Sequence, residues 1–308
     1  MLRTDQAENL RRLSGLKRDR MHAADPRERA GRTRVLAFTG GKGGVGKTSL
    51  AVNFGLSLLG RGKKVVLFDA DLGLANADVV LDASPRYNLG HVVRGQKSLV
   101  EIIHKTTAGL DLIPGGSGLD ELVDLPPARL GVFLSGLNDL EGLCDFLIID
   151  TAAGLSRTVM GFVLAADDII TITTPEPTSI TDAYATIKYI LRRNSGARIW
   201  LLVNRVSNLQ EGKNVANRLV TVVERFLKTR ISVLGWVYDD SKVNLSLRRQ
   251  APFYLEHPNC PAARAVDEAV FRLLGEKTPG RGVGGIINWV KNLVLDQPLR
   301  RAARYHGQ

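Results

Sequence analysis

Cysteine is scarce in this 308-residue sequence, which contains Cys144 and Cys260 and no third. The two are far apart along the chain and give no C-x-x-C metal or redox spacing, so a reduced compartment fits best. No apolar run approaches the roughly 20 residues that a membrane-spanning helix needs. The first six residues lack the apolar core of a secretory signal. We therefore expect a cytoplasmic protein.

The net charge of +11 is unevenly distributed along the chain. Residues 1–34 and residues 277–308 each carry a net charge of +5, whereas residues 35–276 carry +1. Hydrophobic residues make up 44% of the chain, an ordinary value for a soluble protein with a core. The pattern indicates basic tails around a near-neutral body, and such tails meet an acidic partner, a lipid surface or a nucleic acid.

A glycine-rich segment carries the strongest chemical signal. Residues 40–49 read GGKGGVGKTS and match G-x-x-x-x-G-K-[ST] without a mismatch. Such a loop, called the P-loop below, wraps a triphosphate with backbone N–H groups, while its lysine reaches phosphate oxygens and its hydroxyl holds Mg²⁺. A strand-like run before it and a helix-like stretch after it argue against a plain turn between core elements. The predicted nucleotide contacts are Gly41, Gly43, Gly44, Val45, Gly46, Lys47, Thr48 and Ser49.

Short apolar runs recur with helical stretches between them, and several runs are continuous rather than alternating. Continuous runs are typical of strands that are covered on both faces. We predict an α/β fold with a mostly parallel sheet of seven to eight strands, covered by helices on both faces, with ligands at the carboxyl ends of the strands. The runs are Val35–Phe38, Val65–Phe68, Leu110–Ile113, Phe146–Ile149, Ile169–Thr173, Ile199–Val203 and Ile231–Val237.

Acidic residues follow two of these runs. Asp69 and Asp71 end the second run, and Asp150 ends the fourth. A single aspartate at a strand end more often caps a helix, but two such loops beside a P-loop favour nucleotide hydrolysis. We assign Asp150, with Thr48, to the metal and Asp71 to the attacking water. Asp69 is a second metal candidate that could instead organise its loop.

Three motifs together resemble the deviant Walker A ATPases of the MinD/ParA class. They are KGGVGKT at residues 42–48, DADLGL at 69–74 and DTAAG at 150–154, and the resemblance covers roughly residues 33–275. It implies the P-loop NTPase fold of that class and Mg²⁺-dependent hydrolysis of ATP to ADP. It also implies that Lys42 is a signature lysine, which crosses to the phosphates of a second subunit in an ATP-bound homodimer and joins Lys47 and Asp71 in catalysis. The physical reason for such a lysine is that its positive charge offsets the negative charge concentrated on the phosphates.

The same class reads adenine with an asparagine after a late strand. Asn204 and Arg205 fit that position, and Asp239 is a weaker candidate in the following loop. Because a polar asparagine at a strand end suits a core poorly, we predict adenine contact by these residues.

The first residues resemble a narrower family. Asp5, Gln6, Ala7, Leu10 and Arg11 match the D-Q-A-x-x-L-R motif of the FlhG (FleN/YlxH) regulators of flagellar number. The resemblance implies that this motif binds the GTPase FlhF and activates it. Apolar residues at a spacing of three to four also suit a segment that folds into a partner's groove. A solvated helix that packs on its own domain is the alternative.

The last helical stretch is amphipathic. Residues 286–295 are too short to span a bilayer, and arginines lie before and after them. Such a helix suits an anionic membrane surface, and two of them held by an ATP dimer would bind with avidity. Docking on the core is the alternative, and ADP-bound monomers would then keep the helix docked. The predicted membrane face is Ile286, Trp289, Val290, Leu293 and Val294.

These signals predict three parts: an N-terminal extension (1–33), an ATPase domain (34–276) and a linker with a membrane-targeting helix (277–308). The expected function is an ATP-dependent switch that controls flagellar number and cycles between the cytoplasm and the inner face of the membrane. The family also implies partners among flagellar switch (C-ring) proteins and a flagellar transcription activator.

Three alternatives remain at this stage. A MinD- or ParA-type positioning or DNA-segregation ATPase needs basic patches on the body if it binds DNA, and the near-neutral body predicts no direct DNA binding. An iron–sulfur carrier of the Mrp type needs paired cysteines, whereas Cys144 is expected inside a strand. A scaffold that binds nucleotide without turnover is disfavoured by Asp71.

Overall fold

The computed structural model describes residues 32–71, 77–116, 127–275 and 282–295. Residues 127–132 and 292–295 are described by their backbone alone. The predicted partner motif at residues 5–11 lies outside these ranges. The described residues form eight strands: β1 (Arg34–Thr39), β2 (Val65–Ala70), β3 (His104–Lys105), β4 (Asp111–Ile113), β5 (Phe146–Thr151), β6 (Asp168–Thr173), β7 (Ile199–Val206) and β8 (Ser232–Tyr238).

The strands form one sheet in the order β3-β4-β2-β5-β1-β6-β7-β8. All neighbouring strands are parallel except β3, which pairs antiparallel with β4. The predicted mostly parallel sheet is confirmed. The two-residue strand β3 was absent from the seven predicted runs, because so short a strand has no periodicity to detect.

Helices connect the strands and cover both faces of the sheet. They are α1 (Lys47–Leu59), α2 (Ala77–Val80), α3 (Leu89–Val93), α4 (Pro127–Asp139), α5 (Arg157–Ala165), α6 (Pro177–Arg193), α7 (Leu209–Leu227), α8 (Ser241–Arg248), α9 (Phe253–Glu256), α10 (Pro261–Gly275) and α11 (Gly284–Leu295).

Two hydrophobic cores lie on the two faces of the sheet. Successive side chains of a strand point to opposite faces, so Val35 and Ala37 of β1 enter one core while Leu36 and Phe38 enter the other. The first core packs the sheet against α5, α6, α7 and α11, and the second against α1 and α10. Every residue of β2, β5 and β6 is buried, which explains their continuous apolar sequences.

Two boundaries differ from the sequence-based expectations. β7 continues to Val206 instead of ending at Val203, with an irregular register against β8 over these residues. Asn204 therefore lies within the strand with its side chain towards the P-loop, and the irregularity follows at Arg205, whose φ angle is 58°. Cys144 lies two residues before β5 in an isolated bridge with Glu141, so the expected strand position was wrong.

Candidate nucleotide-binding site

The P-loop connects β1 to α1, and glycine is required at several of its positions. Gly44 and Gly46 have φ angles of 75° and 93°, which other residues rarely adopt. A Cβ on Gly41 would lie 2.5 Å from the backbone oxygen of Asp182 in α6, so this glycine allows the loop to pack closely against that helix. No atom of the described chain lies within 4 Å of a Cβ placed on Gly43. The P-loop therefore packs against α6 at Gly41 and faces open space at Gly43.

An open cleft of about 540 Å³ lies in front of the P-loop. Its size is that of an ordinary small-molecule site. The cleft collects side chains from the carboxyl ends of several strands, where open parallel sheets bind their ligands. Its lining includes Gly43, Gly44, Gly46, Lys47, Thr48, Ser49, Asp71, Ala153 and Arg205.

Two carboxylates are adjacent behind this cleft. Asp69 of β2 and Asp150 of β5 are direct partners in the register of the parallel strands. Asp150 is 1% exposed, and neither of its oxygens makes a hydrogen bond of normal geometry with the described residues, although the nearby Thr48 hydroxyl opposes the rise of its pKa. Burial and the neighbouring Asp69 raise the pKa of Asp150 to about 7. A buried carboxylate without well-formed hydrogen bonds is costly, so this position fits a group that depends on a bound cation.

Lys47 is the cation nearest to these acids. It is 7% exposed, and burial lowers its pKa, while the charges of Asp150 and Asp71 oppose that shift. Within the described residues no three His, Cys, Asp or Glu side chains form a metal cage. Mg²⁺ in nucleotide sites usually takes one or two carboxylates together with phosphate oxygens and water. The donor set of Thr48 and Asp150 therefore fits Mg²⁺ that arrives with a nucleotide.

Asp69 is engaged by the backbone of its own loop. One of its oxygens accepts the N–H of Asp71 at 3.1 Å, and the other accepts the N–H of Ala77 at 3.3 Å. Burial raises the pKa of Asp69 to about 6. These bonds hold the backbone of Asp71 and the first residue of α2. They favour the loop-organising role that the sequence left open, and the metal role of Asp69 stays a prediction.

Lys42 is paired away from the cleft of its own chain. Its Nζ donates to Oε2 of Glu176 at 2.7 Å and to Oγ1 of Thr178 at 3.2 Å. The pair stands at the start of α6, and the Lys42 side chain is 41% exposed. The hydrogen bond from Lys42 lowers the pKa of Glu176. Unlike Lys47, this lysine is thus an accessible charge at the edge of the P-loop.

A second, narrow pocket of about 40 Å³ adjoins the cleft beside the residues predicted to contact adenine, and it is called the base pocket below. It shares Gly46, Ser49, Arg205 and Leu247 with the cleft, and Asn204 and Asp239 also line it. The Asn204 amide donates to the carbonyl of Val45 at 2.8 Å, which leaves the amide oxygen as an acceptor. An acceptor matches the exocyclic amine of adenine. The further lining residues are Leu50, Val237, Tyr238, Asp240, Val243, Asn244 and Phe253.

The structure thus brings the predicted residues of the P-loop, Asp71, Asp150, Asn204, Arg205 and Asp239 to one end of the sheet. Sequence reasoning missed the Glu176–Thr178 pair and the base-pocket residues of α8. Glu176 follows the carboxyl end of β6, and the rule that ligands bind at such ends was a usable signal for it. The α8 residues had no signal, because their helix has no sequence motif.

The comparisons with known proteins agree with this geometry. A family model described as an AAA domain matches residues 33–197. The chain is 36% identical over 260 residues to antiactivator FleN of Pseudomonas aeruginosa, spanning 84% of this chain and 93% of that protein. It is 34% identical over 252 residues to flagellum site-determining protein YlxH of Helicobacter pylori, spanning 81% and 85%. The solved structure of MinD cell division protein from Aquifex aeolicus matches with a TM-score of 0.62 at 26% identity, over 80% and 99% of the two chains.

The chain belongs to the FleN/YlxH family of MinD/ParA-class ATPases.

Membership in this ATPase family supports ATP and ADP as the ligands of this protein. The P-loop, the buried Lys47 and the buried Asp150 are the features that a nucleotide hydrolase of this class needs. The structural likeness to MinD and the identity to FleN both extend over about four fifths of the chain. The fold and the enzymatic class are therefore those predicted from the sequence.

The C-terminal helix of this ATPase is docked on the sheet-covering helices. α11 packs against α4 and α5, with Ile286 and Val290 fully buried. The Trp289 ring lies 4.5 Å from the Phe162 ring between centroids and sits directly on Gly161, where a Cβ would approach it to 1.8 Å. Leu293 and Val294 also belong to the predicted membrane face, but their side chains are not among those described. No described helix is long and apolar enough to cross a bilayer.

Two carboxylates hold the start of the docked helix. Asp167 accepts the N–H of Gly282 at 3.1 Å, and Glu141 accepts the N–H of Val283 at 3.0 Å. The same carboxylates bind the start of the body: Asp167 accepts the N–H of Val35 at 2.9 Å, and Glu141 that of Thr33 at 3.0 Å. The bond from Val283 satisfies one of the backbone donors that the start of a helix leaves without a partner.

Proposed function

We propose that this ATPase is a switch that controls flagellar number and placement, dimerising on Mg·ATP and binding the membrane as the dimer. The observation that carries the proposal is the position of Lys42. A second lysine at the edge of the P-loop lies outside the lining of its own cleft and is accessible to another subunit. The names of the relatives, an antiactivator and a flagellum site-determining protein, support the flagellar role.

The chemistry follows from the described side chains. P-loop N–H groups and Lys47 would hold the phosphates, Thr48 and Asp150 would hold Mg²⁺, and Asp71 would orient the attacking water. When bound, Mg²⁺ would supply charge neutralisation at the transferred phosphoryl group. Lys42 of a second subunit offsets the charge that develops there. Two subunits are then needed for hydrolysis, and hydrolysis separates them.

Membrane binding is proposed to use α11 after it leaves the body. The docked face contains Ile286, Trp289 and Val290, which are the residues that would enter the headgroup boundary. The same apolar face cannot cover the sheet and the membrane at once. Docking therefore competes with membrane binding, and the ATP dimer would present two such helices together.

The proposed partners follow the family. The N-terminal motif at residues 5–11 is proposed to bind FlhF and raise its GTPase rate. C-ring proteins and a flagellar transcription activator are further proposed partners, and the name antiactivator of the Pseudomonas relative supports the latter. The alternative is a MinD- or ParA-type ATPase that acts on division proteins or DNA.

Vesicle sedimentation tests the switch. The full chain is spun with vesicles of anionic and of neutral lipid, with ATP, ADP or no nucleotide, beside a DNA-binding assay. We expect sedimentation with anionic vesicles and ATP, little with ADP, and no ATP-dependent binding to DNA. ATP-dependent binding to DNA without vesicle binding would instead establish the ParA-type alternative.

A further inference from the structure

One fully buried amide lies within the helix that follows the P-loop. Asn53 of α1 is 0% exposed. Its Nδ2 donates to the backbone oxygen of Ser49 at 2.6 Å, and its Oδ1 accepts the backbone N–H of Tyr254 at 2.8 Å. A buried polar side chain is retained at low cost when its hydrogen bonds are satisfied. Asn53 therefore ties the first turn of α1 to the start of α9.

The bond to Tyr254 replaces a helix cap. α9 begins at Phe253 after Pro252, a residue without a side-chain oxygen, so its own chain offers no side-chain cap at that position. The first N–H groups of a helix need an acceptor from elsewhere. Asn53 supplies it from α1. The start of α9 is thus placed by a residue of the phosphate-binding helix.

Both ends of this connection lie at residues that line the proposed nucleotide site. Ser49 lines the phosphate cleft and the base pocket, and Phe253 lines the base pocket from the other side. Phe253 is 2% exposed and directly precedes Tyr254. Asn53 therefore joins these two walls, and the Tyr254 hydroxyl, which donates to Asp267 at 2.8 Å, is a second tie on α9. The P-loop itself has separate supports, because Gly41 packs on α6 and the carbonyl of Val45 accepts from Asn204.

We propose that Asn53 is a positioning residue for the nucleobase, which holds the Phe253 wall against the P-loop helix. The inference rests on the proposed base pocket. Loss of the amide would release α9 and weaken binding of the base while the phosphate contacts persist. If Asn53 had a purely structural role, its loss would instead lower the stability of the whole protein and weaken the binding of all ligands by the same factor.

The experiment compares two ligands that differ in the base and ribose. Full-length protein is titrated calorimetrically with Mg²⁺ and either ATP or inorganic triphosphate. For Asn53→Ala we expect the Kd of ATP to rise roughly ten-fold, the scale of one lost buried hydrogen bond, and that of triphosphate to change by less than about two-fold. Asn53→Ser keeps a donor for the backbone oxygen of Ser49 but is too short to bind Tyr254, so it should show the same selective loss. It also serves where the alanine variant does not fold.

Thr106→Ala is the matched control. Thr106 is 9% exposed, its hydroxyl donates to the backbone oxygen of Leu110 at 2.7 Å, and neither residue lines the cleft or the base pocket. Its loss should lower the melting temperature and leave the ratio of the two Kd values unchanged. An equal loss for ATP and triphosphate in the Asn53 variants, or no loss, overturns the inference. A wild-type protein that binds both ligands equally well overturns the base pocket itself and this inference with it.

Discussion

The Nζ atom of Lys42 lies 2.7 Å from Oε2 of Glu176 in the same chain. Both side chains are substantially exposed, at 41% and 57%, and exposed ion pairs are weak because water and salt screen them. The pair therefore keeps Lys42 ordered at the edge of the P-loop without locking it there. A stronger negative charge, such as the phosphates of a second subunit's nucleotide, would draw it away.

Replacement of Lys42 separates binding from hydrolysis. Lys42→Ala retains Lys47 and the rest of the phosphate site, so we expect ATP affinity within about three-fold of wild type and a loss of ATP-dependent dimers and turnover. Equilibrium binding, light scattering and phosphate release measure the three properties. Glu176→Gln is the matched variant, because it removes the pair and keeps the lysine, and its dimerisation should change by no more than roughly five-fold. Normal hydrolysis by Lys42→Ala would refute the dimer mechanism.

Substitution of Asp71 tests the water-positioning role. Asp71→Ala should give ATP-bound dimers that no longer turn over, because the attacking water loses its orienting carboxylate. We expect turnover to fall by at least about 100-fold, the lower range for one general-base contribution, with dimers persisting in ATP. Phosphate release and light scattering check this. Hydrolysis at the wild-type rate would remove Asp71 from the mechanism.

Asp150 is expected to confer the Mg²⁺ dependence of nucleotide binding. In Asp150→Asn the charge that would hold the cation is lost, while the side-chain volume is kept. Wild-type affinity for ADP should fall when EDTA replaces Mg²⁺, and the variant should show nearly the same affinity in both conditions. Fluorescent ADP titration measures the two values. A variant with the wild-type response to EDTA would assign the metal to other residues.

The close contact of Gly161 with Trp289 allows a single substitution to displace α11 from its docked position. In Gly161→Ala the new methyl group occupies the space of the indole ring, whereas alanine suits the helical backbone of α5 better than glycine. The docked helix should be displaced, so vesicle binding should appear in ADP. Sedimentation measures it, with Asn288→Ala, on the exposed side of α11, as the matched control that keeps the wild-type response. Deletion of residues 286–308 should abolish all vesicle binding, and binding that survives the deletion would place the membrane contact elsewhere.

The N-terminal motif is tested apart from the body. A peptide of residues 1–20 should raise the GTPase rate of FlhF, and the same peptide with Gln6→Ala and Arg11→Ala should raise it less. The reason is that the side chains of Gln6 and Arg11 are the members of the motif that can donate hydrogen bonds to a phosphate group. GTP hydrolysis over a wide peptide concentration range is the measurement. A flat response would favour the alternative, a solvated helix that packs on its own domain.

Much of the fold and part of the site follow from sequence alone. Continuous apolar runs predict the central strands because both faces of those strands are covered, and the P-loop pattern predicts its own strand–loop–helix context. The pairing of Lys42 with Glu176 was not predictable, since the two are joined only by the folding of distant segments. The state of α11 was also undecided, because one apolar face suits a membrane and a protein surface equally well.

The carboxylate of Glu141 has a consequence for the linkage between the two ends of the body. It accepts backbone N–H groups from Thr33 and from Val283, 250 residues apart in the sequence. Replacement of either residue by proline removes its N–H, and the two replacements should be non-additive in a double-mutant cycle, because both donors bind oxygens of one carboxylate. The N-terminal and C-terminal junctions are in this way a single thermodynamic unit.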